Sequence, residues 1–287
     1  MEGEGSVVIG DAGGGEWGRE FTFSLLKNPK DRLILCLPEV ASAEYDRADE
    51  RDKPGWTLFN EGINKWLSKP AYSMGDKYDN GGQAPLLAQW DWLMRYARFR
   101  DTVEGMIDRV NPPHENMDKN YLFGPQGRQQ LQKILEGEGA FDGSGQAFDH
   151  INLPWDKLRF HAFQSKPMDS RWFEWLAGTK PDGLAVIIGE LVLLAVAKGY
   201  TSVNAGARRI CVEAVGLFIH DGFEFQGDQS LGRWDCTNKE FSLFGGEPLA
   251  NNNFREFRMR SGYGCDFRIM NTPELVSIER ICYNALP

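Results

Sequence analysis

Arg208-Arg-Ile-Cys-Val-Glu-Ala-Val-Gly-Leu-Phe-Ile219 is apolar and rich in β-branched residues, and its reading decides the fold. Such a run predicts a strand, and Phe223-Glu-Phe225 after it alternates in the same sense. Residues 240–244, 265–270 and 276–283 predict further short strands. Gly222, Gly227, Gly232, Gly245, Gly246, Gly262 and Gly264 punctuate them as antiparallel connections require. Upstream of Gly199 the period is different. Leu58, Phe59, Ile63, Trp66 and Leu67 recur at helical spacing and stop at Pro70. A longer series of Leu86, Leu87, Trp90, Leu93, Met94, Ala97, Val103, Met106, Ile107 and Val110 predicts one helix between Pro85 and Pro112. Residues 126–135, 170–177 and 181–198 predict three more, the last opened by Pro181 and Asp182 and closed by Gly199. Helices before strands make an α+β fold, a helical N-terminal half followed by an antiparallel, curved β-sheet in the C-terminal half. The expected organisation is an N-terminal extension, partly loop, over 1–54, a helical region over 55–199 and an antiparallel β region over 200–287, the last two in one unit. Gly-rich or charged tracts at 10–18, 39–55 and 136–145 read as loops.

Composition limits the function. A chain of 287 residues can bury a sizeable core, and a hydrophobic fraction of 41% excludes a disordered tail. The formal charge of −9 repels polyanions, so nucleic acid is excluded as the expected partner. The first residues carry acid and glycine where a secretory signal carries basic residues and an apolar run, which predicts a protein cytoplasmic in its producer. The apolar stretch 183–199 is shorter than a bilayer span and has Glu190 at its centre, so it predicts a core helix. The five cysteines are odd in number and scattered without a CxxC pair, which predicts reduced, buried thiols and no disulfide.

Val7-Val-Ile-Gly-Asp-Ala-Gly-Gly-Gly15 lacks both GxGxxG spacing and a following Lys-Ser/Thr, and His114, His150, His161 and His220 do not fall at zinc-ligand spacing. Glu190 in its apolar run is either a general acid or base with a raised pKa or a carboxylate on a polar stripe. The densest polar cluster spans His220-Asp-Gly-Phe-Glu-Phe-Gln-Gly-Asp228, Gly232-Arg-Trp-Asp235, Asn251 to Arg260 and Cys265-Asp-Phe-Arg268. An apolar strand that ends in Asp221 and Glu224 places two acids where they can hold a divalent cation such as Mg²⁺ or activate water. Arg233, Arg255, Arg258, Arg260 and Arg268 can neutralise a phosphate or carboxylate on a substrate. His220, Asp228, Asn253 and Asp266 are further candidates in the cluster. The alternative is a ladder of cross-strand salt bridges and Asx turns.

A family resemblance adds to this. Gly55-Trp-x-Leu-Phe-x5-Lys-Trp-Leu-x-Lys-Pro-Ala-Tyr72, Trp90-Asp-Trp-Leu-Met-Arg-Tyr-Ala-Arg98, the run from Val212 to Phe225 with Leu231-Gly-Arg-Trp234, and Asn253-Phe-Arg-Glu-Phe-Arg258 with Gly264-Cys-Asp-Phe267 look like successive blocks of an uncharacterised bacterial family found beside type VI secretion genes. Membership implies an antibacterial effector toxin, delivered into a competing cell on a secretion spike or adaptor and neutralised in the producer by a cognate immunity protein. Asp221-Gly-Phe-Glu224 also resembles the Asp-x-Tyr-Asp motif of colicin M, which implies Mg²⁺-dependent hydrolysis of a phosphoester or lipid-linked peptidoglycan precursor in the target periplasm. Here Phe223 and Glu224 replace that motif's tyrosine and second aspartate, and no His-Arg pair follows. Catalysis then rests on Asp221, Glu224, Arg233 and Arg258, with Asp221 and Glu224 as metal ligands. The rival expectations are a non-enzymatic spike cargo, adaptor or binding protein, and a membrane-disrupting toxin that inserts 183–199.

Overall fold

The computed structural model describes residues 27–74, 83–110, 123–167, 181–242 and 245–286. In chain order the elements are α1 (Pro29–Arg47), α2 (Lys53–Ser68), β1 (Leu86–Leu87), α3 (Trp90–Leu93), α4 (Ala97–Val110), α5 (Pro125–Gly137), β2 (Ala147–Asp149), β3 (Ala162–Pro167), α6 (Gly183–Ile187), β4 (Glu190–Asn204), β5 (Ala207–Phe223), β6 (Ser230–Asp235), β7 (Glu240–Ser242), β8 (Glu247–Ala250), α7 (Asn251–Ser261), β9 (Phe267–Met270) and β10 (Glu274–Asn284). Helices concentrate in the first half and the large sheet in the second, so the fold is α+β. The chain forms two units, Met1–Pro85 with Ser170–Ile187 and Gly222–Arg268, and Leu86–Asp169 with Ile188–Asp221 and Ile269–Pro287. Each draws segments from both sides of residue 199.

In the first unit, α1 opens on Asn28, whose side-chain oxygen accepts the Lys30 N–H at 2.8 Å, with Pro29 at the position where a missing N–H costs nothing. Its buried stripe of Leu33, Ile34, Leu37, Val40 and Ala41 carries a helical period through part of the tract expected to be a loop. That tract looked like a loop because it is rich in charge, yet two acids of α1, one before the tract and one within it, are buried and matched. Asp31 accepts two bonds from Arg260, at 2.6 and 3.1 Å, and Glu44 accepts the Phe241 N–H at 3.0 Å. The three-stranded sheet β7-β6-β8 is antiparallel, and Trp234 of β6 stacks on Phe59 of α2 at 5.5 Å between ring centroids. Gly55 of α2 meets α6 so closely that a Cβ on it would lie 2.0 Å from the Gly183 carbonyl oxygen. Gly55→Ala is therefore expected to destabilise by about 1–3 kcal/mol in chemical denaturation, because a backbone atom blocks the new methyl.

The second unit is built on a seven-stranded sheet of order β1-β9-β5-β4-β2, with β10 also on β5 and β3 also on β4. The pairs of β5 with β4 and β10, and of β4 with β2 and β3, are antiparallel, whereas β1 joins β9 in parallel through two residues. Ile151, Leu194, Val196, Phe218 and Met270 form one apolar cluster on this sheet.

The helix expected over 181–198 is corrected: a short α6 is followed by β4, a 15-residue strand. Leu191 and Leu193 to Ala197 are all buried, so both strand faces are apolar, and a run with no polar alternation reads equally as a core helix. Gly199 is no helix cap. It sits at a register shift between β4 and β5, where a Cβ would lie 2.0 Å from the Cys211 carbonyl oxygen. The single helix expected from Leu86 to Val110 is likewise divided into β1, α3 and α4. Ala88 N–H donates to Met270 O at 2.7 Å, so sheet pairing takes the start of that segment. The helix expected over 126–135 is α5, while that over 170–177 lies outside the described residues.

The thiols are also corrected. Cys36 pairs with Cys236 in the first unit and Cys211 with Cys282 in the second, which leaves Cys265 free and buried. Partners 200 and 71 residues apart leave no local spacing to find, and the odd count was met by one leftover thiol.

Candidate functional site

Helix α7 organises the polar cluster in the first unit. Asn253 turns back so that its side-chain oxygen accepts the Ala250 N–H at 2.9 Å, half of a capping box. Gly262, in the left-handed region at φ 72°, ends the helix and returns its N–H to Arg258 O at 3.0 Å. Phe254 and Phe257 face inward, and Phe254 stacks on Phe225. Four residues after Phe254, the Arg258 guanidinium lies 5.4 Å from the centre of the Trp66 ring and donates to Asp266.

Asp266 is fully buried. Besides Arg258, its carboxylate accepts Trp66 Nε1–H at 3.1 Å and Met74 N–H at 3.3 Å, so three donors from three chain segments converge on it. Burial pushes its carboxyl above the usual range, while Arg258, Trp66 and Met74 pull the other way. Burial, with Asp266 adding to it, pushes the neighbouring Cys265 thiol up, the opposite of what a nucleophile needs. Burial also pulls the Lys65 ammonium down, and this group lies over the Phe267 ring at 4.7 Å. Trp66, Lys65 and Met74 were not expected at this cluster. Trp66 and Lys65 stand in one sequence block and Asp266 in another, about 200 residues on, and no spacing rule connects them.

Arg233 and Arg255 hold turns of their own chain. Arg233 donates from Nε to Gly245 O and from Nη2 to Gly246 O, each at 2.8 Å. Arg255 donates to the carbonyls of Phe225 and Gly227 and reaches Asp228 at 3.3 Å. Glu224 follows the end of β5 and accepts from Gln226 Nε2 at 3.2 Å. The structure thus brings Arg258 together with Asp266, and places Arg233, Asn253 and Asp228 on separate local tasks.

His220 and Asp221 are half-buried residues of β5, with His220 opposite Val192 of β4. Asp221 shares its strand face with Ile219 and Phe223. It closes a segment of the second unit, while Glu224 belongs to the first. Glu190 opens β4 opposite Pro167 of β3, which corrects its placement in a helix. Among the described residues no group of three or more His, Cys, Asp or Glu side chains is arranged to hold a metal ion, so no step through Mg²⁺ is derived. No helix among them is long and apolar enough to cross a membrane. The chain matches no family model, no curated protein and no solved structure.

Proposed function

We propose that the chain is an effector-type protein of the type VI secretion class that acts outside the reducing cytoplasm, in the envelope of a target bacterium, and is held in check in its producer by a cognate immunity protein. The observation that carries this reading is the pair of disulfides, Cys36–Cys236 and Cys211–Cys282, one in each unit. Disulfides persist in oxidising compartments such as the bacterial periplasm and are rare where thiol reductants dominate. The four sequence blocks support the class of protein, and the disulfides support the compartment. Its test is to direct the chain to either the periplasm or the cytoplasm of a susceptible host. Growth should stop in the periplasmic case alone, and arrest in neither compartment contradicts the reading.

Within it, hydrolysis of a phosphoester or lipid-linked precursor is proposed with Asp221, near the end of β5, as its candidate residue. If Asp221 activates water or holds a cation, Asp221→Ala abolishes growth arrest while thermal stability stays within about 1 kcal/mol of the parent. A stable Asp221→Ala protein of undiminished toxicity removes Asp221 from the site. A second reading, a non-enzymatic spike cargo or adaptor, is favoured by the guanidinium groups of Arg233, Arg255 and Arg258, which bond to their own chain. It predicts no growth arrest and co-purification with the secretion spike.

A further inference from the structure

Strands β2 and β3 both pair with β4, and the turn between them begins at His150 and ends at His161. His150 N–H donates to Ala197 O at 3.0 Å and His161 N–H to Ala195 O at 2.9 Å. Two acceptors two residues apart on one strand seat both histidines along the same edge of β4. Each is 3% exposed. His150 Nε2 lies 2.8 Å from the Glu138 carboxylate, just past the end of α5. The remaining nitrogens, His150 Nδ1 and both of His161, are buried without a hydrogen-bond partner among the described residues. A neutral imidazole tolerates this better than a charged one, for which burial without an acceptor costs far more.

The charged groups on the surrounding elements are matched elsewhere. Glu136 of α5 pairs with Arg208 at 2.9 Å, and Asp149 of β2 pairs with Lys198 of β4 at 2.8 Å. Arg128 lies over the Tyr283 ring at 4.9 Å, while Lys133 and Asp142 are exposed. Glu138 faces the pair through His150. Against His161 lie His150 and the apolar ring of Phe123, the latter 6.3 Å away between centroids.

We propose that His161 is an acid-responsive latch, which when neutral seats the turn between β2 and β3 on the edge of β4 and when protonated releases it. This inference is independent of the functional reading above. Burial, with a smaller contribution from His150, pulls His161 from the ordinary 6.5 down to about 3. The closed form therefore stays neutral while the open form gains a proton as pH falls below 6.5. The stability that neutral His161 permits is whole above 6.5 and is lost progressively toward 3, the opening constant rising about tenfold per pH unit in between.

The test is amide hydrogen exchange of residues 147–167, corrected for intrinsic rates, in the full chain and in His161→Phe. Between pH 7.0 and 4.5 the parent's protection should fall roughly fifty- to a hundredfold, the growth in the open population that one proton uptake of this kind produces. His161→Phe should lose far less. Equal losses in both proteins, or undiminished protection in the parent, overturn the proposal. Should His161→Phe not fold, imidazole nitrogen shifts of the parent decide it: His161 should remain neutral at pH 4.5, and a titration midpoint above pH 6 contradicts the latch.

Discussion

Replacing Cys36 and Cys236 by serine is expected to lower the unfolding free energy of the first unit by about 3–5 kcal/mol. The bond joins residues 200 positions apart, so its removal frees a long loop in the unfolded chain and raises that state's entropy. Cys36 sits on α1, and Cys236 directly follows β6. Close by, Arg47 donates to Lys239 O at 2.6 Å and Glu44 accepts the Phe241 N–H at 3.0 Å. These hydrogen bonds fix the same pairing of α1 with the β6–β7 hairpin and should survive in the serine variant, leaving a folded but weaker unit. Denaturant midpoints of the oxidised parent and the double serine variant measure the effect. Cys265→Ala is the control that removes a thiol without opening a loop. A serine variant within about 1 kcal/mol of the parent would show that the crosslink contributes little.

Asp266→Ala should cost about 3–5 kcal/mol, because it leaves the Arg258 guanidinium buried without its counter-charge and strands Trp66 Nε1–H and Met74 N–H. The Arg258 side chain is only 12% exposed, and its Nε has no partner among the described residues, so water cannot readily replace the carboxylate. Asp266→Asn keeps an acceptor for one of the two N–H groups, which bond to different carboxylate oxygens, and should cost less. In a double-mutant cycle with Arg258→Met, the double variant should be more stable than the sum of the single changes predicts, since the lone buried charge is what is unfavourable. Additive losses would refute the pairing. The raised carboxyl of Asp266 has a defined sign: the folded form holds this proton more readily than the unfolded form. Its contribution is whole below the ordinary carboxyl range and falls as pH rises through the folded value. Acid lability of this protein must therefore come from elsewhere, and His161 has the opposite sign.

Strand β5 was legible because its apolar run gives way to alternation and glycine turns at its end. Its partner β4 was not, because Leu191 and Leu193 to Ala197 are buried on both faces and carry no alternation. Helix α1 was hidden by its acids, whose matching partners Arg260 and the Phe241 amide lie about 200 residues away. Helix α7 was hidden by its arginines and asparagines, which looked like site chemistry when the side chains were in fact capping, pinning turns and pairing with Asp266. The polar cluster stood out in the sequence by its residue types. Their partners are largely main-chain carbonyls, which composition and spacing do not reveal.

Thiol counting is the most direct test of the two crosslinks and of the oxidising compartment proposed from them. The protein is recovered from the periplasm of a host that exports it, denatured without reductant, alkylated and weighed. The expected result is one alkylated thiol per chain, mapped to Cys265, with Cys36–Cys236 and Cys211–Cys282 intact. Five alkylated thiols in that material would contradict both the crosslinks and the compartment drawn from them.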